Sequence, residues 1–235
     1  CGGGGGVTPT RGGADRPKRP ESACGHVRMA LAKEVGRVAD TREVDVWGGI
    51  RRASRHPRVN VLSPGPGVGG HCIAVGPWFR VHADRDNTPL IRTAREVNDA
   101  KIDYVVERAE AMVAAHPGVR VACLGLAFKA NIDDFRESPA LKVATALAQR
   151  FGDRLDVVEP YTRALPAAFD GTGATLTDID TAIETCGIMI VLVDHDVFKS
   201  VPVDERADKN VYDTRGIWPD QPRAPVRTEA LRLAS

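Results

Sequence analysis

The residue best placed by its neighbours to do covalent chemistry is Cys72, which follows the run GPGVGG (residues 65–70) and stands next to His71. A cysteine attacks only as its thiolate, and a polarising glycine-rich setting beside a histidine can lower a thiol pKa. Residues 56–79, HPRVNVLSPGPGVGGHCIAVGPWF, punctuate short apolar runs with prolines and glycines, so the expected structure is a tight loop rather than a regular element. In that loop Gly69 and Gly70 would clear side chains away, letting a bulky ligand approach backbone N–H groups beside Cys72. A buried structural cysteine is the competing reading. GPGVGG formally matches G-x-G-x-x-G, but a dinucleotide fingerprint must open a helix, and the following HCIAVGPWF contains Pro77 and shows no helical period. The match is therefore read as a decoy.

The other chemistry-bearing residues are less suggestive. The five cysteines, Cys1, Cys24, Cys72, Cys123 and Cys186, are odd in number and lack the close pairs of structural zinc sites, so free thiols are expected. Cys123 and Cys186 sit among apolar strand residues and read as core thiols. His56, His71, His82 and His195 are too dispersed to suggest a metal site. Glu159, closing LDVVEPY, occupies the place of a ribose-binding acid after a second strand, although Gly125 stands without a full fingerprint. Trp47, Trp78 and Trp218 read as packing residues, with Trp78 near enough to Cys72 in sequence to shape a pocket.

These residues must be held by a folded scaffold, and 235 residues with 43% apolar side chains can supply one. With 32 Lys and Arg against 31 Asp and Glu, no net charge draws the chain to nucleic acid or an anionic membrane. No apolar run approaches the roughly 18–20 residues of a bilayer span, and no signal peptide is evident. A cytoplasmic location is the expectation. The glycine-rich residues 1–13 read as a disordered tail, and Pro17 and Pro20 oppose a continuous helix, making residues 1–27 a disordered or distorted segment.

Helices are predicted over 28–38, 46–54 and, most clearly, 89–116, where Leu90, Ala94, Val97, Ile102, Val105, Val106, Ala109 and Val113 recur at threes and fours. Such length suits a helix that crosses between domains or carries a subunit interface. After Gly118, strands in VRVACLGLA, LDVVEPY, IMIVLVDH and NVYDTRG alternate with helices at 138–150 and 178–184, the pattern of a parallel sheet covered on both faces. The predicted fold is α/β, with an all-helical central region at 28–116, a Rossmann-like domain at 117–218 and a frayed tail at 219–235.

Several long motifs in one order then carry a family resemblance. PGVGGHCIAVGPWF, RHPRVN (55–60), LGLAFKANIDDFRESPA (124–140) and DTRGIW (213–218) resemble the UDP-glucose/GDP-mannose dehydrogenase family over roughly residues 14–218. The resemblance implies that Cys72 is the catalytic thiol in an NAD-dependent, two-step oxidation of a UDP-sugar C6 alcohol to a carboxylate, through a thiohemiacetal and a thioester. It also implies that Lys129 and Arg215, with Gly69, Gly70 and His71, contact the substrate, that Arg136 reaches the cofactor, and that Arg58 reaches a neighbouring subunit's site in a homodimer. Cationic side chains suit a pyrophosphate; surface salt bridges are the alternative for each.

Three departures qualify the resemblance. No fingerprint-bearing NAD domain precedes residue 14, so the expectation is a truncated chain that is inactive alone. Gly76 stands where the family has an aspartate that helps activate the hydrolytic water. Lys18 falls on the family's oxyanion-binding lysine, but Ser22 replaces its asparagine and the prolines threaten the helix that aims both. A non-catalytic UDP-sugar-binding module or a gene remnant are the alternatives.

Overall fold

The computed structural model describes residues 18–42, 44–69 and 71–221, with the side chains of 18–22 and 71–75 outside the described set. The chain opens with α1 (Lys18–Thr41), so the expectation of a distorted segment up to residue 27 is corrected over 18–27. Pro20 is the third residue of α1. A helix leaves its first four N–H groups without an intrahelical acceptor, so a proline there removes no bond. The calls on residues 1–17, Pro17 included, lie outside the described residues.

α2 (Val46–Ala53) is capped by Asp45, whose side chain accepts from the Gly48 N–H. A second correction concerns the segment after the glycines. Residues 71–83 form α3 (His71–Ala83), with Pro77 in its interior, rather than an irregular loop. The glycine run thus does open a helix; what it lacks is a preceding strand, because residues 61–69 are not extended into any sheet. The loop ends earlier than the prolines suggested.

α4 (Pro89–Ala114) joins the two halves of the molecule. Its first half turns Arg95, Asn98 and Lys101 inward against α1, and its second half turns Val105, Val106, Ala109, Met112 and Val113 onto the sheet. Beyond it lie β1 (Val121–Leu124), α5 (Pro139–Phe151), β2 (Leu155–Val158), β3 (Thr175–Thr177), α6 (Ile179–Thr185), β4 (Ile188–Val191), α7 (Asp196–Lys199) and β5 (Asn210–Asp213). All strand pairs are parallel, in the order β3-β2-β1-β4-β5. One face packs on α4 and α5, the other on α6 and α7. β1, β2 and β4 are buried along their whole length, which explains the unbroken apolar sequences of β1 and β4; the one acid of β2, Asp156, is paired with Arg120.

The α1–α4 interface is unusual for a core. On α1 the apolar residues expected to face inward, Leu31, Val35 and Val38, are exposed, whereas His26 and Lys33 are buried. The Lys33 ammonium has no exposure and donates to the Asn98 carbonyl at 3.4 Å. Burial first, then the Lys101 and Arg95 charges, push it down to about 7, and Lys101 is likewise pushed down to about 8. An unfolded lysine holds its proton to roughly pH 10.4, so the destabilisation is full below pH 7 and is relieved as pH rises from there. The chain should therefore become more stable between pH 7 and 10. Lys33→Met should raise the melting temperature at pH 7 by about 5 °C or more and flatten that rise, given that ~1 kcal/mol moves a domain of this size by ~2–4 °C; a wild-type melting temperature that falls steadily over pH 7 to 9 would contradict the assignment.

Candidate functional site

The segment before Cys72 lies on the rim formed by the carboxyl ends of the strands, and its glycines are what let it lie there. A Cβ on Gly67 would come within 2.3 Å of Pro139 Cβ. On Gly69 it would meet the Glu137 carbonyl, Phe128 and Pro139, each at 2.8 Å. Gly65, at φ +48°, would place one 2.7 Å from an Arg215 guanidinium nitrogen. These glycines admit the protein's own α/β half at close range; Gly70 lies outside the described residues. Cys72 follows as the second residue of α3, with His71 the first, and the side chains of both are outside the described set. Lys18 is the first residue of α1, its side chain likewise undescribed.

Two loops of the α/β half complete the rim. The β1–α5 loop is braced from within: Phe128 N–H donates to the Asp134 carbonyl, and Ser138 both donates to the Leu126 carbonyl at 2.6 Å and caps α5 by accepting from Leu141 N–H. Its turns need positive φ at Asn131 and Glu137, a cost for residues other than glycine. Lys129 stands exposed on this loop and forms no ion pair among the described residues. The turn after β5 is built on one carboxylate. Asp213 accepts from the N–H groups of Arg215, Gly216 and Trp218 at 2.7–2.9 Å, and burial pushes its pKa up against those bonds. Arg215 then reaches back to Asp194, just beyond β4, at 2.5 Å. Asp194 and Asp213 were not singled out from sequence, yet each follows or ends an apolar strand, where such rims form.

The other cations lie apart. Arg136 is exposed and its guanidinium is bonded to Asp134, which holds that carboxyl down at about 2. Arg58 is exposed between α2 and α3, its N–H donating to His56 Nδ1 at 3.2 Å. No hydrogen bond among the described residues joins either to Lys129 or Arg215.

Glu159 has a different part from the one its position suggested. Its carboxylate is buried and accepts from Leu126 N–H at 2.6 Å, Ala127 N–H at 3.2 Å and Tyr161 N–H at 3.2 Å. His195 Nδ1 accepts from Asn131 N–H, which puts the imidazole proton on Nε2, 3.4 Å from the same carboxylate. Burial works to raise the Glu159 pKa, but the His195 contact and the backbone donors hold it below the usual glutamate range. Reading Glu159 as a ribose ligand is thus corrected: it turns into the β1 loop and takes the two amides that would meet a pyrophosphate, so the α/β half does not fit a dinucleotide. Cys123 and Cys186 are buried, Cys186 donating to Asp156 at 3.3 Å, and Cys24 is exposed. Among the described residues no three His, Cys, Asp or Glu cluster as a metal site, and no helix is long and apolar enough to cross a membrane.

The architecture is thus a helical region, with Cys72 at a helix start, laid on the rim of a parallel sheet that presents Lys129 and Arg215. Known proteins agree. Residues 14–100 match the model for the central domain of the UDP-glucose/GDP-mannose dehydrogenase family, and residues 122–220 match its UDP binding domain. The chain belongs to that family. It is 46% identical over 213 residues to a UDP-N-acetyl-D-mannosamine dehydrogenase of Salmonella typhi, covering 87% of this chain and 50% of that one. It is 46% identical over 205 residues to an NDP-N-acetyl-D-galactosaminuronic acid dehydrogenase of Ralstonia nicotianae, covering 87% and 48%. A solved UDP-D-ManNAc dehydrogenase from Pyrococcus horikoshii superposes with a TM-score of 0.75 at 29% identity, covering 89% of this chain and 49% of that chain. The chain spans about half the length of the curated relatives it matches.

Glu159→Gln tests the bracing of the rim. It removes the charge from a site of three backbone donors and should cost about 1–3 kcal/mol, the range for a buried hydrogen-bonded group left poorly matched. Because the folded pKa is depressed, wild type keeps this stabilisation above about pH 4.5 and loses it as pH falls through the folded value, so the gap between variant and wild type in urea melts should narrow as the pH is lowered below 4.5. A constant gap from pH 7 to 3 would refute it.

Proposed function

We propose that this chain carries the UDP-sugar seat and the reactive thiol of a nucleotide-sugar 6-dehydrogenase acting on UDP-N-acetyl-D-mannosamine or a close relative of it. The observation that carries the reading is the packing of Gly65, Gly67 and Gly69 onto Arg215, Pro139 and Phe128, which sets the start of α3, and with it Cys72, against the rim that bears Lys129 and Arg215. A sugar nucleotide with its pyrophosphate near these cations would lay its sugar toward the first turn of α3.

In that turn the unpaired N–H groups of the helix favour a thiolate over a thiol. The Cys72 thiolate would add to the C6 aldehyde, forming the C–S bond of a thiohemiacetal whose oxygen needs a donor; Lys18, at the first position of α1, is assigned that part. Oxidation to the thioester, and its hydrolysis to carboxylate and free thiolate, complete the proposed sequence. NAD is the hydride acceptor by family likeness, and its seat is not in the α/β half, where Glu159 holds the loop amides. Arg136 as a cofactor contact and Arg58 as a contributor to a second subunit's site stay part of the proposal, and the exposed stripe Leu31, Val35 and Val38 on α1 supports a homodimer. That same occupation of the amides favours, as a second reading, UDP-sugar binding without oxidation by these residues alone.

Calorimetric titration with UDP and with UDP-N-acetyl-D-mannosamine is the direct test. Saturable binding is expected, weakened about tenfold or more by Arg215→Gln or Lys129→Met, in line with the loss of a charge-assisted hydrogen bond, and unchanged for UDP in Cys72→Ser. Alkylation of Cys72, followed by peptide mapping to separate it from Cys24, should be slowed by the UDP-sugar. A chain that binds neither ligand would end the reading.

A further inference from the structure

A second cavity lies on the other side of Gly65 from α3. It encloses about 470 Å3 between the carboxyl end of α1, the start of α2, α4 and β5, within the range of small-molecule sites. One end is cationic. Lys101, Arg108 and Arg37 surround the ring of Tyr104, with the Lys101 ammonium 4.2 Å and the two guanidinium carbons 5.8 and 5.2 Å from its centroid. The carboxylate in this cluster, Asp40, accepts from the Tyr104 hydroxyl at 2.8 Å. No carboxylate among the described residues lies within 4 Å of any of the three cations. Arg108 Nε is buried without a hydrogen-bond partner among the described residues, and Lys101 is 6% exposed. Lys101 is buried and Arg108 half-buried, and the field of Asp40 reaches Lys101 only from beyond ion-pair distance, so this end of the cavity can accept a further anion.

The lining also includes the apolar side chains of Trp47, Trp218, Met112 and Val211. Its remaining acids are engaged: Asp45 caps α2 and faces Arg51, and Asp213 holds the turn after β5. We propose that this cavity is a binding site for a small organic anion with a flat apolar body, its anionic group between Lys101 and Arg108 and its body against Trp47. The site is separate from the proposed UDP-sugar seat but shares a wall with it. Gly216, at φ +68°, lies so close to the Trp47 ring that a Cβ there would be 2.4 Å away, and Asp213 and Thr214 of the same turn line the cavity. An occupant therefore presses on the turn that aims Arg215, and it acts as an effector of that residue.

Phenyl phosphate is the probe, with inorganic phosphate as its control, titrated into the whole chain and followed by calorimetry and tryptophan fluorescence. Phenyl phosphate should bind saturably and about tenfold or more tighter than phosphate. Arg108→Gln and Lys101→Met should each weaken it about tenfold or more, while Lys101→Arg, which keeps the charge, restores it within about threefold. Arg215→Gln should leave it unchanged, which separates this site from the UDP-sugar seat whether or not UDP binds. Hydrogen exchange at the Gly216 and Trp218 amides should slow in the presence of the probe. Absence of saturable binding, equal affinity for phosphate, or loss of binding in Arg215→Gln with retention in Arg108→Gln would each overturn the proposal; the wild-type titration and its exchange pattern decide the matter even if a variant fails to fold.

Discussion

Backbone-to-side-chain contact at van der Waals limits, between a glycine strip and the rim of a parallel sheet, sets the geometry on which everything else in this molecule rests. Three alternate glycines face Arg215, Pro139 and Phe128, and in each case a methyl group in place of hydrogen would require the rim to move. The helical half reaches the α/β half through this strip and through α4, so the placement of the thiol-bearing helix is inherited from the rim. The rim in turn is held by buried carboxylates that accept backbone N–H groups: Glu159 beneath the β1 loop and Asp213 beneath the β5 turn. Through these bonds the two acids fix the loop that carries Lys129 and the turn that carries Arg215.

Much of the α/β half was legible because its central strands are buried on both faces and therefore read as apolar runs, as in VACL and IMIV, with Gly and Asp punctuation between them. β3 was missed for the complementary reason: at three residues, TLT, on an edge and half exposed, it carries no apolar run. The helical half was harder. Proline was read as a helix breaker at Pro20 and Pro77, yet Pro20 falls where a helix has N–H groups to spare and Pro77 is carried inside α3. On α1 the apolar residues at helical spacing divide: Ala32 is buried while Leu31, Val35 and Val38 are exposed, and His26 and Lys33 are inside. A buried lysine has no signature in a single sequence, since its burial is imposed by α4.

The site was readable in part for the same reasons. Motif order pointed to Cys72, Lys129 and Arg215, but spacing alone could not say that Glu159 would fold back into the loop and accept the Leu126 and Ala127 N–H groups instead of pointing outward. Nor could it reveal that Asp194, 21 residues before Arg215, is that residue's partner. Nor could spacing show that Gly65, Gly67 and Gly69 admit the protein's own rim at close range.

α4 carries a mechanical implication. One 26-residue helix contributes its first turns to the α1 interface and its last turns to the sheet core, with no break, proline or glycine between them. There is no linker at which the two halves could pivot, so relative motion between them must be expressed as bending of a single rod or as melting of one of its ends. The end of the rod less costly to disturb is then the polar one, where the buried ammonium groups of Lys33 and Lys101 lower each other's stability, rather than the end packed into the apolar sheet core. Helix α3, packed against α1 and α4, sits toward that polar end.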